Sequence, residues 1–321
     1  MSGGVQFDVR VAEAEPVSPN VRRLRMERLD DGELPPYSAG SHTVLTLDVE
    51  GRRFRNAYSL LGSTLAGGRA YEIAVLRSPQ SRGGSAFIHD ALAPGARLAL
   101  SAPVNLFPVN RTARRHVLVA GGIGITPVAA MAAELAAADA PFELHYAMRD
   151  EASGAFADAL VARHGAKVRL YVSRRQERIA VGAILEHQPI GTHLYVCGPE
   201  RMIEAVLEDA RQGGWPESAL HCERFLAPEG GEPFRLRLAR SGIETTVGAH
   251  ETLLESIEAA GVDAPYLCRG GACGQCQTAV VEADGELVHA DHYLTDAEKA
   301  SGKAIMTCVS RLRGRELVLD L

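Results

Sequence analysis

The sequence predicts a multidomain chain: a small antiparallel β-barrel, then a parallel α/β layer, then an α+β domain around a cysteine loop. Three observations predict it. The chain has 321 residues, where a domain holds roughly 100–200. Short strands separated by turns give way, near His116, to alternating strands and helices. Four of the six cysteines, Cys268, Cys273, Cys276 and Cys308, crowd into the last quarter.

From Val5 to about Val109 the runs His42–Leu47, Tyr71–Leu76 and Ala96–Leu100 are rich in β-formers. Turn residues such as Leu34-Pro35-Pro36-Tyr37 and Ala66-Gly67-Gly68 separate them, as in a small barrel. From about His116 to Phe225 the spacing predicts strands at Val117–Ala120, Phe142–Met148, Val168–Ser173 and His193–Val196. Helices are predicted at Val128–Ala138, Gly154–His164 and Arg201–Arg211. That alternation calls for a parallel sheet with helices on its faces. Residues 227–233 read as a linker. Beyond it, Phe234–Ala239 alternates apolar and basic residues, and Thr252–Ala260 reads as a helix capped by Thr252 and stopped by Gly261. Strands are expected near Thr278–Glu282 and Glu316–Leu319.

Composition removes several classes. Hydrophobic residues at 46% and charged residues at 23% describe a globular protein and exclude global disorder or coiled coil. Lys+Arg 34 against Asp+Glu 40 leaves −6, which speaks against a nucleic-acid partner. The most apolar stretch, Val117–Ala138, is broken by three glycines, Thr126, Pro127 and Glu134, so no membrane span is expected. The first residues carry neither a basic nor an apolar leader region, and a cytoplasmic protein is expected.

The cysteine loop carries the sharpest chemistry. Cys268-Arg269-Gly270-Gly271-Ala272-Cys273-Gly274-Gln275-Cys276 has the spacing C-x4-C-x2-C, with Cys308 at a distance. This is the plant-type spacing for a [2Fe-2S] cluster held by four thiolates. The glycines let the backbone fold tightly and aim N–H groups at sulfur. A zinc site usually needs two short Cys/His pairs, and only one short pair stands here. Gly121-Gly122-Ile123-Gly124-Ile125-Thr126-Pro127 follows a strand and opens a helix, a form that admits a pyrophosphate. Cys197-Gly198-Pro199 ends a later strand, where parallel sheets bind ligands, so Cys197 is placed to approach a nicotinamide or simply to fill a tight turn. In the barrel, Tyr58 and Ser59 suit a planar ring and its nitrogen. Gly83, Gly84 and Ser85 suit a phosphate, with Arg55 or Arg82 as its partner.

Together these motifs resemble the phthalate dioxygenase reductase family, within the ferredoxin reductase-like group, over nearly the whole chain and in domain order. The resemblance implies an FMN-binding β-barrel over 1–110, a Rossmann-like NAD(P)-binding domain over 111–227 and a plant-type [2Fe-2S] β-grasp ferredoxin over 234–321. It implies an FMN site at Tyr58, Ser59, Gly83, Gly84 and Ser85. It also implies a nicotinamide site at Gly121, Gly122, Gly124, Thr126, Cys197, Gly198 and Pro199. Glu223-Arg224-Phe225 resembles the segment whose aromatic residue lies by the flavin, which nominates Phe225. The family motif is Arg-x-Tyr-Ser; here Asn56 takes the arginine place, and the phosphate contact falls to Arg55 one residue earlier. Ser173-Arg174-Arg175 is similar to a 2′-phosphate site, whereas Asp150 suits a ribose hydroxyl; the family favours NADH and leaves NADPH open. Hydride brings electrons in pairs and a cluster takes them singly, so a flavin belongs between them. No facial triad for mononuclear iron is visible in the chain, so the oxygenation itself is expected elsewhere, and the resemblance implies a Rieske-type oxygenase as the acceptor. The alternatives are a stand-alone flavin reductase or oxidase, and a non-enzymatic iron–sulfur redox sensor.

Overall fold

A computed structural model describes residues 5–49, 51–62, 67–79, 82–225 and 230–321. The predicted linker residues 227–229 and the turn residue Ala66 lie outside the described residues. The chain divides into two compact units, one built on residues 7–54 and 58–225, the other on the C-terminal 230–321 with 55–57 grouped with it.

The first unit begins with β1 (Gln6–Ser18), β2 (Val21–Arg28), β3 (Ser41–Val49), β4 (Arg52–Ser59), β5 (Ala70–Leu76), α1 (Gly84–Asp90), β6 (Arg97–Ser101) and β7 (Val104–Asn105). The strand order is β4-β3-β6-β1-β2-β5, with β7 on β3. An antiparallel bridge between Leu60 and Ile73 joins the two ends into a barrel. Strand β2 shows why it folds this way. Leu24 and Met26 alternate into the core with no exposure, while Arg23 points out to Glu15 and Glu13 at 2.9 and 3.1 Å. The period of two survives although half the strand is arginine. With that outer arginine face β2 offers no run of β-formers, and it is found in addition to the predicted strands, as are β1 and β4.

The same unit continues with β8 (Arg115–Gly121), α2 (Ile125–Ala137), β9 (Phe142–Met148), α3 (Ala157–His164), β10 (Val168–Val172), α4 (Val181–Leu185), β11 (Thr192–Cys197), α5 (Glu200–Gln212) and β12 (Leu220–Glu223). The sheet order is β10-β9-β8-β11-β12, and every pair is parallel. Consecutive residues of β8 face opposite helices. Leu118 and Ala120 pack with Val128, Met131 and Leu135 of α2, whereas Val117 and Val119 pack with Val181, Ile203 and Val206 of α4 and α5. A strand covered on both faces reads as an unbroken apolar run, as Val117–Ala120 does. The barrel joins this sheet through Ala39 N–H donating to Glu134 Oε2 at 2.7 Å and Asn110 N–H donating to the Tyr195 hydroxyl at 2.7 Å.

The second unit holds β13 (Phe234–Leu238), β14 (Ile243–Val247), α6 (Leu253–Ala259), β15 (Gln277–Val288), α7 (Asp296–Ser301), β16 (Ala304–Met306) and β17 (Arg311–Leu319). Its order is β14-β13-β17-β15-β16, with β13 parallel to β17 and the other pairs antiparallel. Helix α6 starts as predicted: the Thr252 hydroxyl accepts from Glu255 N–H at 3.0 Å and the Glu255 carboxylate accepts from Thr252 N–H at 2.9 Å. Its Leu253, Leu254 and Ile257 enter the core with Phe234, Leu236 and Leu317. This mixed sheet clasping one helix is the predicted β-grasp. Among the described residues no helix is long and apolar enough to cross a membrane.

Candidate functional site

The parallel pairing of β8 with β11 sets Ala120 opposite Cys197. Gly121–Gly124 is thereby laid against Cys197-Gly198-Pro199, two motifs far apart in sequence. A Cβ on Gly124 would stand 2.3 Å from the Cys197 carbonyl oxygen and 2.7 Å from Gly198 N, so only glycine permits this approach. Thr126, predicted beside the coenzyme, is 2% exposed and donates its hydroxyl to Ile123 O at 3.0 Å, inside the turn. Tyr146 braces the same loop by donating to Gly122 O at 3.2 Å.

The pairing of β11 with β12 sets Cys197 opposite Glu223. Burial pushes the Glu223 carboxyl up to about 8, and its Oε2 has no hydrogen-bond partner. The Cys197 thiol is fully buried and is raised well above its ordinary value, first by burial, then by Glu223 and Cys222. A neutral thiol and a carboxyl that keeps its proton near neutral pH thus close the C-terminal end of the sheet. Sequence reasoning singled out Phe225 of this segment and missed Glu223 as a site residue. A Glu-Arg dipeptide reads as a surface pair, but Arg224 turns away to Glu200 at 2.7 Å. Phe225, 46% exposed, lies just past β12.

The barrel residues meet this loop from the other side. Ser59 is buried at the end of β4 and Tyr58 is half-buried. Gly83, at φ +127°, caps α1, and a Cβ there would lie 2.8 Å from Phe54 Cζ, so the Gly83-Gly84-Ser85 turn sits directly on β4. Ser85 Oγ accepts from Ser78 N–H at 3.3 Å. Leu61, two residues past Ser59, and Ile123, inside the glycine loop, pack on one small cluster of Val21, Ala74 and Ala155. Barrel strand and glycine loop therefore share a wall. Arg55 does not join them: its guanidinium, grouped with the C-terminal unit, is paired with Glu258.

In the C-terminal unit all four predicted thiols are free, and Cys268, Cys276 and Cys308 are each 3% exposed. They stand as two pairs, Cys268 with Cys273 and Cys276 with Cys308, the latter 3.3 Å apart. Hydrogen bonding from Cys273, then from the N–H groups of Gly270, Ala272 and Cys273, draws Cys268 down to about 5 against the cost of burial. Cys308 does the same for Cys276, to about 7. Four thiols, three of them buried and Cys273 half-buried, with backbone donors aimed at sulfur, fit a [2Fe-2S] cluster, which they would hold as thiolates. Arg269, at φ +51° inside the loop, is held over the Tyr266 ring at 3.9 Å and paired with Glu258. Glu258 thus anchors the cluster loop with one oxygen and Arg55 with the other.

Comparisons with known proteins agree with this geometry. Residues 101–220 match the family model "dimethylamine monooxygenase subunit DmmA-like, N-terminal domain", and residues 236–313 match "2Fe-2S iron-sulfur cluster binding domain". The chain is 47% identical to the heme-dependent oxidative N-demethylase beta subunit of Ectopseudomonas mendocina, over 98% of this chain and 99% of that protein. A solved structure of phthalate dioxygenase reductase superposes with a TM-score of 0.88 at 33% identity, covering 99% of this chain and 98% of that one. The chain belongs to the phthalate dioxygenase reductase family. The carnitine monooxygenase reductase subunit of Escherichia coli, 41% identical across the whole of both chains, is another relative. As a member of the phthalate dioxygenase reductase family the protein is an oxidoreductase, the reductase subunit of an oxygenase system, and works with an oxygenase component. It carries a [2Fe-2S] cluster and has the fold of reductases that bind a flavin and a pyridine nucleotide.

Proposed function

We propose that the protein carries electrons from NADH, by way of FMN and the [2Fe-2S] cluster, to a Rieske-type oxygenase. The observation that carries this reading is the shared wall of Leu61 and Ile123, which sets the strand end bearing Tyr58 and Ser59 beside the glycine loop. A bound flavin supplies the conversion of a hydride pair into single electrons that a one-electron cluster requires. The chain's own residues do the rest. Gly121, Gly122 and Gly124, with Gly198 and Pro199, admit the coenzyme's phosphates and nicotinamide, and Thr126 holds that turn closed. Ser59, Cys197 and Phe225 would line the place of the flavin and nicotinamide rings, and Glu223 would present its carboxyl beside them. Gly83, Gly84 and Ser85 face the flavin phosphate; Arg55, engaged by Glu258, leaves that phosphate to backbone N–H groups. Cys268, Cys273, Cys276 and Cys308 hold the cluster. The domain limits 1–110, 111–227 and 234–321 belong to the same reading.

A second acceptor is favoured by a specific finding: the 47% identical relative bears the name of a heme-dependent N-demethylase. A heme oxygenase that removes methyl groups from amines is the alternative partner. Two measurements test the route and the partner. In the first, Cys273→Ser is expected to lower NADH-dependent cytochrome c reduction at least about tenfold, with ferricyanide reduction, which needs no cluster, retained. Full cytochrome c activity in the variant takes the cluster off the route. In the second, substrate turned over per NADH consumed is compared with a purified Rieske-type or heme-dependent oxygenase, and productive coupling identifies the acceptor class.

A further inference from the structure

Among the described residues four that are not glycine take a positive φ: Asp139, Gln176, Arg269 and Phe156. Asp139 and Gln176 are exposed polar residues in turns, and Arg269 belongs to the cluster loop. Phe156 is the exception, a half-buried aromatic at φ +63° and ψ +3°, where a bulky L side chain is strained. Its neighbours explain the bend. Ala155, 1% exposed, is pressed on Val21 and Ala74 of the barrel, whereas Ala157 and Leu160 of α3 enter the core of the parallel sheet. The chain turns sharply between them: Ala157 N–H donates to Gly154 O at 3.1 Å and Leu160 N–H to Phe156 O at 2.9 Å. Glycine would make the same turn without strain, so the bend does not explain the ring. Packing does. Among the described residues Phe156 alone packs both on the sheet core and on the small cluster of Val21, Ala74 and Ala155. Each of these reaches the glycine loop. Tyr146 of the sheet core donates to Gly122 O at 3.2 Å, and Ile123 packs on the small cluster, as Leu61 does from the barrel.

We infer that Phe156 is a positioning residue for hydride transfer, a wedge whose ring fixes the spacing between the glycine loop and the barrel strand end bearing Tyr58 and Ser59. The inference rests on the proposed coenzyme and flavin sites and adds what holds them at working distance. A strained conformation persists only where its surroundings over-determine it, and here two packed cores do so together. The step served moves a hydride, one proton with two electrons, from NADH, which leaves as NAD+, to the flavin. Such a transfer needs reacting atoms roughly 3–3.5 Å apart, and a misplacement of about 1 Å can slow it roughly a hundredfold. Phe156 acts through the packing of Ile123 and Leu61. Its loss therefore alters the rate of transfer more than the affinity for the coenzyme.

The test compares the full-length, cofactor-loaded wild type with Phe156→Gly, Phe156→Ala and Phe156→Leu. Glycine removes ring and strain, alanine removes the ring and keeps the strained backbone, and leucine keeps most of the apolar bulk. One readout is the rate of flavin bleaching at saturating NADH without oxygen. The other is the long-wavelength charge-transfer absorbance of a nicotinamide stacked on a flavin. In the glycine and alanine variants the rate should fall at least about tenfold and that absorbance should be lost. The NADH dissociation constant should move less than about threefold. The leucine variant should keep the absorbance and a rate within about threefold of the wild type. Melting curves check the fold; if the glycine and alanine variants do not fold, Leu61→Ala, on the barrel side of the same cluster, should show the same split between rate and affinity. Wild-type rate and absorbance in the glycine and alanine variants overturn the wedge. A loss confined to the glycine variant also overturns it, because the backbone and not the ring would then be the cause. A wild type that shows neither bleaching by NADH nor charge-transfer absorbance refutes the proposed sites and the wedge together. A wild type that shows both, beside unchanged variants, refutes the wedge alone.

Discussion

Replacing Glu223 by glutamine should flatten one part of the protein's pH-dependence of stability. Unfolded, the Glu223 carboxyl ionises near 4.5; folded, burial holds it to about 8. Between those values the native chain keeps a proton that the unfolded chain has shed, so this group's contribution to stability falls as pH rises. At about 1.4 kcal/mol per tenfold change in proton affinity, the whole gap opposes folding by at most about 5 kcal/mol. About half of that, roughly 2–3 kcal/mol, accrues between pH 6 and pH 9. No partner offsets it at Oε2. In Glu223→Gln the titration disappears while every other group is unchanged, so the difference between the two proteins isolates it. Melting curves at pH 6, 7, 8 and 9 are the assay. The variant's Tm should gain on the wild type by about 5–10 °C across that range, taking about 2–4 °C per kcal/mol for a unit of this size. Curves that stay parallel would mean an ionised, solvated carboxylate, and the neutral wall beside Cys197 would have to be given up.

Two further outcomes follow from the same sheet. Gly124→Ala drives a Cβ into the Cys197 carbonyl at 2.3 Å and should cost at least about 3 kcal/mol or fail to fold. Gly122→Ala, at φ +54° with open space around it, should cost only about 1–2 kcal/mol; denaturant titration of both compares them, and equal losses would refute the packing of loop on strand. At the opposite end of the strands, His193 Nδ1 and His221 Nε2 share a hydrogen bond of 2.8 Å, and burial lowers both below 6.5, with neighbouring histidines adding to it. The unfolded chain then binds protons that the native one refuses, so their contribution is full above pH 6.5 and is lost as pH falls below it. His193→Gln/His221→Gln should therefore lose less Tm than the wild type between pH 7 and pH 5, and an identical loss would show the pair to be solvated.

What the sequence discloses here depends on how local the cause is. The cysteine loop was readable because three of the four ligands share one turn, and the glycines between them have no other purpose at that density. Val117–Ala120 and the glycines after it were readable because a strand covered on both faces needs an unbroken apolar run. Strand β2 was not, because its core face is only Val21, Leu24 and Met26, and the intervening arginines belong to a cross-strand ladder set by Glu13 and Glu15. Arg55 illustrates the limit most clearly. Next to Tyr58 and Ser59 it has the composition of a phosphate ligand, but Glu258, 203 positions later, already holds it. Glu223 is the converse case, an acid beside an arginine in sequence whose partner in space is Cys197. Residue types nominate a chemistry, and strand register decides which nominated charges remain free to perform it.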